Sequence, residues 1–175
     1  MNNCQDGISR RVFLQRIALL GSLLAAYPAA ILAQSRSLAP AQKPAAWRGE
    51  DPWKTLAAVQ EHMFPAAADT PGASDIDALV YLHNTIENPA ADGADREFLF
   101  NGVGWLNDLA REKTGLAFVA LDEQQKETLL RQIEESRAGR NWLSLLLTYV
   151  LEALLADPVY GGNPDGIGWK WLEHQ

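Results

Sequence analysis

The sequence predicts an all-α protein: a compact bundle of about five helices, an irregular C-terminal tail rich in Gly and Trp, and a targeting segment in front. Three observations carry this. Apolar residues recur at helical spacing in five stretches between Trp53 and Ala156. Pro, Gly and Asx punctuation separates those stretches. Alternating strand patterns are nearly absent, and Leu116–Leu121 is too short and Ala-rich to insist upon. No internal repeat is present.

Ser9-Arg10-Arg11-Val12-Phe13-Leu14 stands directly ahead of an apolar run from Ile17 to Leu32. A paired arginine before a short apolar segment reads as a twin-arginine export signal, the leader of proteins exported already folded. Ser9, Arg10, Arg11, Phe13 and Leu14 carry the motif. Gly21, Ser22 and Pro28 interrupt the apolar run, so its unbroken parts fall short of the roughly 20 residues a stable span requires. An uncleaved anchor is the alternative. Cleavage fits after Ala33, with Ile31 an imperfect match at the third residue before it, or near Ala30. Residues 1–33 are assigned to the signal, 34–52 to a linker and 53–175 to the helical domain.

Cys4 is the only cysteine and precedes the arginines. A cleaved chain would hold no thiol, disulfide or thiolate metal site. The formal net charge is −7, and removing residues 1–33, with three Arg against Asp6, leaves −9. So acidic a domain repels phosphate backbones, which argues against nucleic acid as a partner.

Pro40, Pro44 and Pro52 mark residues 34–52 as a linker, with Trp47 and Trp53 as apolar exceptions that can dock on the domain or on a partner. The first helix is expected from Pro52 or Trp53 to Phe64, where Pro65 stops it. Ser74 and Asp77 suggest a capping box for a second helix that Asn88-Pro89 ends, with Ile76, Leu79, Val80, His83 and Ile86 on one face. A hydrogen-bonded core histidine is the simpler reading of His83. A third helix is expected over Asp95–Lys113, capped by Gly115, with Gly102 and Gly104 permitting a close helix contact. Asp122 and Gln125 form a capping box for a fourth, closed by Gly139. Asn141 is read as the cap of a fifth, Trp142–Ala156, which is apolar nearly all round. Such a helix is buried either inside the bundle or against a partner, and the bundle is the simpler choice.

Chemistry is hard to place in this chain. There is no phosphate loop, Gly102-Val103-Gly104 meets Asn107 where a dinucleotide fingerprint needs Gly or Ala, and no C-x-x-C-H motif is present. His62, His83 and His174 pair with no other ligand at metal spacing. Asp69, Asp75 and Asp77 do not match a calcium loop. Glu123, Glu127, Glu134 and Glu135 read as a solvated helix face. No catalytic, cofactor-binding or metal residue is assigned. The tail, Asp157-Pro158-Val159-Tyr160-Gly161-Gly162-Asn163 followed by Gly166-Ile167-Gly168-Trp169-Lys170-Trp171-Leu172, mixes turn formers with amphipathic aromatics. It suits either packing on the bundle or contact with another subunit.

That tail resembles the gluconate 2-dehydrogenase subunit 3 family, also called the small or gamma subunit. Phe64-Pro65, the Asp/Gly turn after it, Asp75-Ile76-Asp77 and the paired-arginine leader are similar too. The resemblance implies a periplasmic complex at the inner membrane. Its large subunit, a flavoprotein of the glucose-methanol-choline type, holds FAD and oxidises gluconate to 2-ketogluconate. A multi-haem cytochrome c subunit passes electrons to quinone. The small subunit carries no cofactor and supplies the signal read by the twin-arginine translocase. The family offers no catalytic residue to this chain. Tyr160, Gly161, Gly162, Asn163, Gly168, Trp169 and Trp171 are expected to have a structural or subunit-contact role. The rival readings are an independent periplasmic enzyme and a free-standing periplasmic helical adaptor or binding module.

Overall fold

The computed structural model describes residues 46–91 and 93–173. The export motif and Cys4 lie outside the described residues. Six α-helices, and no strand, occur among the described residues: α1 (Trp53–Met63), α2 (Ala78–Ile86), α3 (Gly93–Thr114), α4 (Glu123–Glu134), α5 (Arg137–Leu155) and the short α6 (Ile167–Trp171). The all-α expectation holds. No described helix is long and apolar enough to cross a membrane.

Local side-chain chemistry sets the starts of α1, α4 and α5. Asp51 accepts from the Thr55 amide (3.1 Å) and hydroxyl (2.7 Å), which holds the first turn of α1. The Asp122/Gln125 capping box on α4 is formed in both directions. The second expected box is not. Ser74 turns its amide and hydroxyl to Glu61, and Asp77 adopts a left-handed conformation, φ 52°, ahead of α2. The Ser74–Asp77 segment is a turn that links α1 to α2, because Glu61 outcompetes the local cap.

The boundary between the last two long helices also differs. Ser136, not Asn141, caps α5 by accepting from the Gly139 amide at 2.9 Å. Gly139 therefore opens α5 instead of closing α4. A Cβ at that position would overlap the carbonyl of Ile133, so α5 starts hard against the end of α4. Arg140 then donates to the terminal carbonyls of Glu134 and Glu135, both at 2.9 Å, and completes the α4 end.

α5 is the central element and packs against each of the other helices. Trp142, Leu146 and Val150 on it are fully buried. Trp142 lies across Gly102 of α3 and donates its indole N–H to the Leu99 carbonyl at 3.0 Å. Gly102 thus permits the close contact expected of it, whereas Gly104 faces open space. The Tyr149 hydroxyl donates to Asp95 in the first turn of α3 at 2.9 Å. Burial, then that bond, pushes its ionisation well above the ordinary tyrosine range. Buried Asn107 links α1, α3 and the turn after α3. It accepts from the Phe118 amide (3.1 Å) and donates to Thr55 (3.2 Å). The opposite side of α5 is different: Leu147, Leu151 and Leu155 are exposed. The helix that is apolar all round has one face in the core and one on the surface.

Candidate functional site

The most constructed region of the molecule is the meeting of the α5 C-terminus with the tail. The last carbonyls of a helix have no partner within it and need donors from elsewhere. Here the tail brings them. The chain leaves α5 at Ala156 in an extended conformation, and the Asp157 carboxylate caps a 3-10 turn over Pro158–Tyr160. Gly161, at φ 95°, reverses the chain against Asn84 and Val80 of α2.

Asn163 is the hub. It is fully buried and left-handed, with φ 52° and ψ 51°. Its backbone N–H donates to the Ile76 carbonyl at 2.9 Å. Its side-chain amide donates to the Ala156 carbonyl at 3.0 Å and accepts from the Gly168 amide at 2.7 Å. Asparagine suits the position because it tolerates the left-handed region and carries both a donor and an acceptor. The Trp169 indole N–H donates to the Leu155 carbonyl at 2.9 Å. Gly162 and Gly168 run against the Ala153 and Leu154 backbone, where a Cβ would overlap the carbonyl oxygens. Four tail residues, Gly162, Asn163, Gly168 and Trp169, therefore close the end of α5.

The predicted site residues separate into two groups on this geometry. Gly162, Asn163 and Gly168 are buried, and Trp169 spends its N–H on α5. Tyr160 is 64% exposed and Trp171 37%, with Trp171 edge-on to Phe64. Tyr160 and Trp171 are the exposed members, and Gly161 and Trp169 are half-buried.

Two histidines behave differently from their sequence reading. His62 at the end of α1 sits between two carboxylates of α4, Glu123 (Nδ1, 3.0 Å) and Glu127 (Nε2, 2.7 Å). Those glutamates are partners of a histidine 61 and 65 residues away, not a purely solvated face. A neutral imidazole can donate to one of them, and the charged ring to both. Hydrogen bonds from Lys126, then His62, hold the Glu123 carboxyl below its ordinary range. The bond from His62 does the same for Glu127. The only sequence signal was the i, i+4 glutamate pair, and no local pattern could have supplied its distant partner. His83 is half-buried and held by ring stacking: Trp47 lies nearly parallel to it at 3.9 Å, and Trp53 is tilted at 4.8 Å. Trp47 thus docks on the domain. His174 lies outside the described residues.

Asp75 accepts from the Gly72 amide at 2.8 Å, and Asp77 lies 3.9 Å from Arg48, so these acids serve turn and surface contacts. Among the described residues no group of three or more His, Cys, Asp or Glu is placed to hold a metal ion. What the region can do, on its geometry, is hold a rigid surface.

The family model described as gluconate 2-dehydrogenase subunit 3 matches residues 50–174, which spans α1 through the tail. No curated protein and no solved structure matches the chain. With the helices, the tail lock and more than half of the sequence inside one family model, the chain belongs to the gluconate 2-dehydrogenase subunit 3 family.

Proposed function

We propose that the chain is the cofactor-free small subunit of a periplasmic, membrane-associated gluconate 2-dehydrogenase, and that it supplies export and assembly of the flavoprotein subunit. The observation that carries this is the joining, in one chain, of the Arg10-Arg11 leader to a subunit 3 domain. A leader for folded cargo is useful to a partner that must fill with FAD before it crosses the membrane. The flavoprotein takes two electrons and two protons from gluconate to give 2-ketogluconate, and a cytochrome c subunit carries the electrons to quinone. The small subunit takes no part in that chemistry.

A rigid domain with its tail locked onto α5 supports a scaffold role. Affinity purification of the full chain from solubilised membranes of the native cell tests the reading. Flavin and haem absorbance, with dye-linked gluconate oxidation, should elute with the chain. Elution of the chain alone would favour the free-standing adaptor.

A further inference from the structure

Nine large apolar side chains are exposed among the described residues, and seven of them lie between Leu147 and Leu172. Three form a continuous row. Leu147, Leu151 and Leu155 are 38, 45 and 56% exposed and stand four residues apart on α5. Residues at that spacing make one ridge of a helix, about 12 Å long here. Beside it runs a row of short side chains, Ser144 and Thr148. The Thr148 hydroxyl donates to the Ser144 carbonyl at 2.9 Å, so its donor stays satisfied when the row is covered. A ridge beside a shallow groove is the form in which helices pack on one another. Four residues past Leu155, the capped turn presents Val159 and Tyr160, 79 and 64% exposed, on a backbone fixed by Asp157 and Gly161. Pre-ordered apolar residues lose little entropy on binding.

Charge narrows the occupant. Residues 46–175 carry 10 Lys and Arg against 21 Asp and Glu, a net of −11. Arg131 and Arg140, with Glu127 and Glu134, border the Leu147 end of the ridge. No cation follows Arg140 in the sequence until Lys170, so the far end, with Glu152 and Asp157, is the acidic one. A second copy would bring the same net charge, which opposes pairing. A partner with an apolar centre and a Lys/Arg rim fits.

We propose that the Leu147–Leu151–Leu155 ridge and the Val159–Tyr160 turn form the surface on which the flavoprotein subunit docks, through an apolar face rimmed by basic residues. This rests on the subunit reading above. The Asn163 lock then has a purpose beyond stability, since it fixes the turn relative to the ridge.

The test is co-expression of the full tagged chain with its cognate flavoprotein, reading co-eluting FAD per chain. Leu151→Asp should lower it at least tenfold while the far-UV spectrum and melting of the chain are kept. Leu116→Asp, at another exposed apolar position, should leave it unchanged. Glu152→Lys, which spares the leucines, should lower it severalfold and gives a second reading should Leu151→Asp disturb folding. Co-elution by Leu151→Asp and Glu152→Lys equal to wild type overturns the surface and leaves the subunit reading standing. No flavoprotein with the wild-type chain overturns both. A dimer of the isolated wild-type chain by light scattering, lost in Leu151→Asp, would make a second copy the occupant and overturn the assignment.

Discussion

Asn163→Ala is the substitution that interrogates the tail lock most severely. It leaves the Asn163 backbone bond to Ile76 but removes both side-chain bonds. The Gly168 amide and the Ala156 carbonyl then lose their partners, at about 1–3 kcal/mol for each group left unsatisfied where it is buried. Alanine also tolerates the left-handed backbone less well than asparagine, adding about 1 kcal/mol. The sum is a loss of about 3–7 kcal/mol, a large share of the roughly 5–15 kcal/mol a domain has. Asn163→Gly keeps the backbone freedom and should cost about 1 kcal/mol less than alanine. Urea unfolding of the full chain, followed by tryptophan fluorescence, measures both. Hydrogen exchange at Gly168 and along the end of α5 should rise in step. An alanine variant within 1 kcal/mol of wild type would refute the hub role.

Three further outcomes follow from the packing. Gly102→Ala should destabilise by about 1–2 kcal/mol because its Cβ meets the Trp142 indole, whereas Gly104→Ala, in open space, should stabilise by about 0.5–1 kcal/mol. Denaturant midpoints of the two variants should move in opposite directions. Gln60 is 1% exposed and its side-chain amide has no hydrogen-bond partner among the described residues, so Gln60→Met should stabilise by about 1–2 kcal/mol in the same assay. The Glu127 carboxyl is held below its ordinary value of 4.5 in the folded chain. Its contribution is therefore present above that value and is lost as pH falls through the folded one. The gap in Tm between wild type and Glu127→Gln should be open at about pH 6 and narrow as pH falls through the lowered carboxyl value; a gap that does not narrow once the carboxyl is protonated contradicts the His62–Glu127 contact.

The helices were legible in the sequence wherever the cue was local. Asp122 with Gln125, Gly115 after α3, and the 3.6-residue apolar rows all act within one or two turns, and the structure follows them. The failures share a cause. Ser74 carries a capping pattern, but Glu61 lies within reach across the turn and takes it. Asn141 resembles a cap, but Ser136 lies one turn earlier with Gly139 at the position where close approach to Ile133 is needed. Distant partners, such as His62 with Glu123 and Glu127, leave no local trace. In the tail, composition announced reversals and aromatic anchors. It did not separate the residues that lock α5, Gly162, Asn163 and Gly168, from those that face outward, Tyr160 and Trp171. That division depends on the α5 carbonyls, which only the folded chain brings beside them.

The central claim is that this chain carries a flavoprotein out of the cytoplasm, and cell fractionation with Arg10→Lys and Arg11→Lys together tests it most directly. The account predicts FAD-loaded flavoprotein stranded in the cytoplasm and periplasmic dye-linked gluconate oxidation lost, both restored by the wild-type chain. Flavoprotein that still reaches the periplasm fully active would contradict it.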